Sequence, residues 1–212
     1  EIAYFKVSVV DAASALPDRG QPYMPALPPP ENFAEALAAT EDAMVDAAWP
    51  GTNFAGWSDG GAPLLSVSDT QTVLLRWDFS AFAGKKPKGW GLLALTPERV
   101  ARAPSDRERF GTVRAVEITG GDPAWTRATV TRDSFLAGRS ERAVLNHQLI
   151  EDAEPQAGQR MLIKLSPAVL TRLLSGKTKG LALYAQGAVT ASFASGAAPD
   201  PKARPTLYFD VE

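Results

Sequence analysis

Trp57 lies in a turn-rich stretch with Asn53 and Asp59 beside it, a grouping with an evident chemical use. An exposed indole stacks on the apolar face of a sugar ring, while an amide and a carboxylate bond its hydroxyls, so affinity arises without any reactive group. Trp49 stands in the same stretch. Arg76 and Arg127 form a second grouping. Alternation in the surrounding sequence puts both on a face opposite the apolar one, where planar guanidinium forks suit the carboxylates of an acidic polysaccharide. A third grouping is acidic: Glu41, Asp42 and Asp46 flank a predicted strand and Asp210 ends the last one. Hard oxygen donors at neighbouring sheet termini suit a structural Ca²⁺, although no EF-hand spacing is present. Each grouping also has a plainer reading. A loop indole can plug a packing gap, sheet-face arginines can simply be solvated, and strand-end carboxylates can cap turns.

What is missing from the sequence narrows the chemistry further. His147 is the sole histidine and there is no cysteine, so a triad or a multi-histidine metal site would have to be built around His147 alone, and thiolate chemistry is excluded. No GxSxG, HExxH, Walker or GxGxxG pattern occurs. Paired carboxylates can hydrolyse glycosides when about 5–10 Å apart, a separation that sequence spacing does not set. The chain is therefore expected not to be an enzyme. With a formal charge of −2 it has no basic field for nucleic acid. Its apolar runs fall far short of the ~20 residues of a membrane span, so no membrane insertion is expected.

The elements that must position these residues are short strands. Residues 72–79, TVLLRWDF, place Val73, Leu75, Trp77 and Phe79 on one side and Leu74, Arg76 and Asp78 on the other, as a central strand does. Residues 90–95 follow a Gly/Pro-rich loop and read as its antiparallel neighbour. Further strands are predicted at residues 2–10, 43–45, 112–118, 125–131, 144–150, 161–165, 180–186, 188–194 and 206–211. Residues 97–111, charged and carrying Pro104, read as a loop or short helix, and residues 133–158 as a long loop around one short strand. A short helix is possible from Glu31 or Asn32. The clearest helix follows Ser166, with Ser at the cap, Pro167 at the first position, Leu170, Leu173 and Leu174 on one side and Gly176 at the end. Residues 17–30 are proline-rich and read as a surface strap. Short strands between Gly/Pro turns argue for an all-β, antiparallel sandwich of jelly-roll type with one short helix.

The succession EDAMVDAAWPGTNFAG, TVLLRWDFSAF, ITGGDPAWTRATVT, LIKLSPAVLTRLLSG, GLALYAQ and SFASGAAPDPKARPTLYFDV resembles the DNRLRE and family-96 carbohydrate-binding modules over residues 40–211. The resemblance implies a β-sandwich appended to other domains of a secreted or cell-surface protein, binding a polysaccharide or cell-wall glycan. Two departures stand out: Gly196 and Ala197 replace an Arg-Glu pair, and Arg127 replaces a Glu after Trp-Thr. The layout expected is an N-terminal strand and strap over residues 1–39, packed on a module over residues 40–212. The expected function is non-catalytic glycan binding. A structural or adhesive surface sandwich and a polysaccharide-degrading enzyme are the alternatives. The ligand loop is expected at residues 49–61, acting with the sheet face that carries Arg76 and Arg127.

Overall fold

Leu37, Leu93, Ile163 and Leu207 each sit in a short apolar segment, and these segments pair edge to edge. The structure is a computed structural model that describes residues 27–58, 63–102 and 111–212, without the side chains of residues 147–149. The strand expected at residues 2–10, most of the strap, and Asp59 with the rest of its turn lie outside the described residues, as does the His147 side chain. In the first sheet β1 (Glu35–Ala38) pairs with β12 (Thr206–Phe209), β12 with β5 (Gly91–Leu95), and β5 with β9 (Met161–Leu165), all antiparallel. A five-stranded sheet has the order β2 (Glu41–Asp46), β4 (Gln71–Arg76), β10 (Gly180–Gly187), β7 (Gly111–Ile118), β8 (Leu145–Ala153). A third sheet, β3 (Leu64–Val67), β11 (Val189–Ala194) and β6 (Pro97–Arg102), connects the two: β3 turns into β4, β10 into β11, and β5 runs on into β6 across Thr96. Val73, Leu75, Leu93, Ile163, Leu181, Phe193, Leu207 and Phe209 meet in one core between these layers. The fold is an all-β antiparallel sandwich.

The alternation read in residues 72–79 is present. Val73, Leu75 and Trp77 enter the central core and Leu74 points the other way. Residues 90–95, however, do not pair with β4: β5 lies in the first sheet, whereas β4 pairs with β2 and β10. The connection explains this. After β4 the chain makes a single 3-10 turn, Ser80–Phe82, and Phe79 and Phe82 pack edge-on against Phe209 with centroids 6.3 and 5.1 Å away. Those rings carry the chain across the end of the core to the first sheet.

Four other expectations are corrected. Residues 97–102 form β6 rather than a loop or helix, with Pro97 at the first strand position and β11 as the single partner among the described residues, so Glu98, Arg99 and Ala101 can face water. Residues 125–131 are turns rather than a strand and lead into α1 (Arg132–Leu136), whose Thr131 and Ser134 form a capping box. Residues 133–158 hold the rest of α1, then α2 (Glu141–Val144) and the nine-residue β8. The helix expected near Glu31 is a 3-10 turn, Pro30–Asn32, because the following residues pair with β12. The helix after Ser166 is α3 (Pro167–Leu174); the Ser166 hydroxyl accepts from the Val169 N–H at 3.4 Å, and Leu170 and Leu173 are buried. No helix among the described residues is long and apolar enough to cross a membrane.

Candidate functional site

The outward face of the five-stranded sheet is as apolar as the inward one at its centre. Ala43, Val45, Leu74, Val116, Ile118 and Ala182 line it, and Trp125, Val130, Phe135 and Val144 cover it as a second core. Residues 123–133 cross β2 and β4 as a band that three polar side chains fasten. Arg76 donates from Nη1 to the Pro123 carbonyl at 3.0 Å and from Nη2 to that of Trp125 at 2.8 Å, with its guanidinium carbon 5.3 Å above the Trp125 ring. Arg127 donates from its backbone N–H to Glu41 Oε2 at 2.7 Å and from Nε to the Asp42 carbonyl at 3.0 Å, and forms an ion pair with the Asp42 carboxylate. Asn53 donates to the carbonyls of Arg127 at 2.9 Å and Val130 at 2.6 Å. Burial pulls the Arg127 guanidinium below its ordinary pKa, and the charge of Glu41 opposes that shift.

The structure thus brings Asn53, Arg76, Arg127, Glu41 and Asp42 into one clasp. The sheet face expected to carry Arg76 and Arg127 to a ligand is instead roofed, and both side chains hold the roof. Asp210 stands apart: its Oδ1 accepts from the Ala34 N–H at 2.7 Å, next to the start of β1, whereas Glu41 follows the end of that strand. Asp46 accepts from the Ala48 N–H at 2.8 Å. Among the described residues no three His, Asp or Glu side chains gather closely enough to hold a metal ion. The two departures from the resembled pattern meet here. The Gly196 N–H donates to Asp42, and a Cβ on Gly196 would lie 3.3 Å from Arg127 Nη2. A side chain at Gly196 would crowd the buried ion pair.

What remains exposed among the described residues is a pair of indoles in the segment after β2. Trp49 is 65% exposed and Trp57 52%, the most exposed large apolar side chains among the described residues. The loop that carries them is braced. Thr52 N–H donates to the Trp49 carbonyl at 3.0 Å, Trp57 N–H to that of Phe54 at 2.9 Å, and Ala55 N–H to Asn53 Oδ1 at 3.1 Å. Phe54 meets the Trp57 ring edge-on at 6.2 Å, and the Asp133 N–H bonds the Pro50 carbonyl at 3.0 Å. The Pro50-Gly51 turn next to Trp49 is the sequence signal for its exposure. No protein-family model and no curated protein matches the chain.

Proposed function

We propose that the chain is a non-catalytic carbohydrate-binding module whose ligand stacks on Trp49 and Trp57. The observation that carries this is the pair of exposed indoles on one braced loop. Leaving two large apolar rings in water is unfavourable unless a partner covers them, and a loop fixed in advance loses little entropy on binding. Arg127 is paired with Asp42, and Arg76 lies at the far end of β4 from this loop, so the ligand best matched to the loop is a neutral polysaccharide rather than a uronate polymer. The resemblance supports the same reading, and with it a secreted or cell-surface setting beside other domains.

Two outcomes are expected. Affinity for a neutral glycan should change little between low salt and several times physiological salt, because no exposed arginine pair contributes to it; steep weakening would point to an anionic ligand. Trp57→Ala should weaken binding about 5–30-fold, the equivalent of about 1–2 kcal/mol of stacking, and leave the melting temperature nearly unchanged. If the same substitution unfolds the domain, Trp57 is a packing plug and the ligand site lies elsewhere.

A further inference from the structure

Arg76 is a half-buried cation opposite Glu41 on β2. Its guanidinium bonds two backbone carbonyls and lies against an indole face, and among the described residues it makes no ion pair. Beside it opens a groove of about 360 Å³ between the residues that follow β4 and the end of α3, with Trp77, Phe79, Leu173, Leu174 and Lys179 in its walls. That volume lies in the lower part of the range for small-molecule sites, about 300–1,000 Å³. Among the described residues the lining contains two cations, Arg76 and Lys179, and no Asp or Glu. Lys179 Nζ donates to the Gly176 carbonyl at 2.6 Å, a bond that orients the ammonium without neutralising it. Trp77 is only 5% exposed, yet its indole N–H has no acceptor among the described residues, and the same holds for Arg76 Nε.

The carbonyls that hold the Arg76 guanidinium satisfy its Nη donors and leave its positive charge uncompensated beside the groove. Two cations with no acid among the described lining residues favour a negative charge, while the half-buried Phe79 and Leu174 offer an apolar wall. We propose that this groove binds a small carboxylate on a compact apolar body, its oxygens toward Arg76 and Lys179 and its hydrocarbon against Phe79 and Leu174. The site is independent of the indole loop: Arg76 ends β4, whereas the loop leaves β2 at Asp46, paired with Gln71 at the start of β4.

The test is an amide chemical-shift titration of the whole chain with cyclohexanecarboxylate, with cyclohexylmethanol as the neutral isostere and inorganic phosphate as the bare anion. The acid should give saturable shifts at the amides of Ser80, Gly176 and Lys179, with a dissociation constant on the order of 1 mM, and leave those of Trp49 and Trp57 unmoved. The alcohol and phosphate should bind about tenfold more weakly or not at all. Arg76 fastens the band over the sheet, so its substitution risks the fold. Lys179 is exposed, and Lys179→Glu should weaken the acid about tenfold with an unchanged melting temperature. Absence of saturable shifts, equal binding of the alcohol or of phosphate, or an unaltered affinity in Lys179→Glu would each overturn the proposal.

Discussion

Trp125→Ala should destabilise the fold by about 3–5 kcal/mol, a large share of the ~5–15 kcal/mol typical of a whole domain. The indole is 2% exposed and belongs to the second core with Leu74, Val116 and Val130. Its removal leaves a void the size of an aromatic ring, and the neighbours cannot fill it without moving β4. It also strips Arg76 of the ring beneath its guanidinium, a contact worth about 0.5–2 kcal/mol depending on desolvation. The carbonyls of Pro123 and Trp125 that Arg76 holds then lose a fixed position, so the band over residues 123–133 should loosen first. Hydrogen exchange at Val130 and Phe135 should accelerate more than at Leu183, and the denaturant midpoint should fall with little change in slope. An unchanged midpoint would mean that the band contributes little and that the outward sheet face tolerates water.

Glu117→Gln should cost about 2–3 kcal/mol at neutral pH and remove much of the acid sensitivity of the fold. Glu117 lies on β7 and is 2% exposed. Its Oε1 accepts from Arg172 Nε at 2.8 Å and from the Thr178 hydroxyl at 2.6 Å, and its Oε2 from Arg172 Nη2 at 2.7 Å and Asn146 Nδ2 at 3.3 Å. Burial pushes the carboxyl toward its neutral form and is the largest single influence. The hydrogen bonds from Arg172, Thr178 and Asn146, with the Arg172 charge, together outweigh it and hold the pKa below the usual glutamate value. A depressed pKa contributes stability that is fully present above the unfolded value, about 4.3, and is lost as pH falls through the lower folded value. Gln keeps an acceptor but loses the charge and the two-oxygen match to the guanidinium. Arg172 is 39% exposed and recovers some hydration, so the cost falls short of the about 3–5 kcal/mol seen when both members of a pair are buried. Urea midpoints from pH 7 down to about pH 3 should converge for the two proteins as the acid limb is crossed. Parallel pH profiles would show that another carboxylate governs acid unfolding.

The alternation in β4, the span of β9 and the capped start of α3 were legible because each is a local pattern: period 2 in a strand, and Ser-Pro before an apolar helical face. What was not legible was the cover on the second face. Leu74 shares its side of β4 with Arg76, and sequence alone does not say whether that side meets water or a covering segment. The cover lies far along the chain, and its apolar residues Trp125, Val130 and Phe135 recur at intervals that match neither a strand nor a helix, so no periodic signal announces them. Residue type alone makes Asn53 a candidate sugar contact. It is the amide that fits between two carbonyls of the band, and only the tertiary fold brings residues that far apart in sequence together. The exposure of Trp49 and Trp57 was partly visible, since turn residues surround both.

Affinity electrophoresis of the wild-type chain and a Trp49→Ala/Trp57→Ala double variant in gels containing neutral polysaccharides tests the glycan-binding reading most directly. The wild type should be retarded by at least one neutral glycan at both low and high salt. The double variant should migrate as it does in a glycan-free gel while keeping the wild-type denaturant midpoint. Equal retardation of both proteins, or no retardation of the wild type across the panel, would contradict the account.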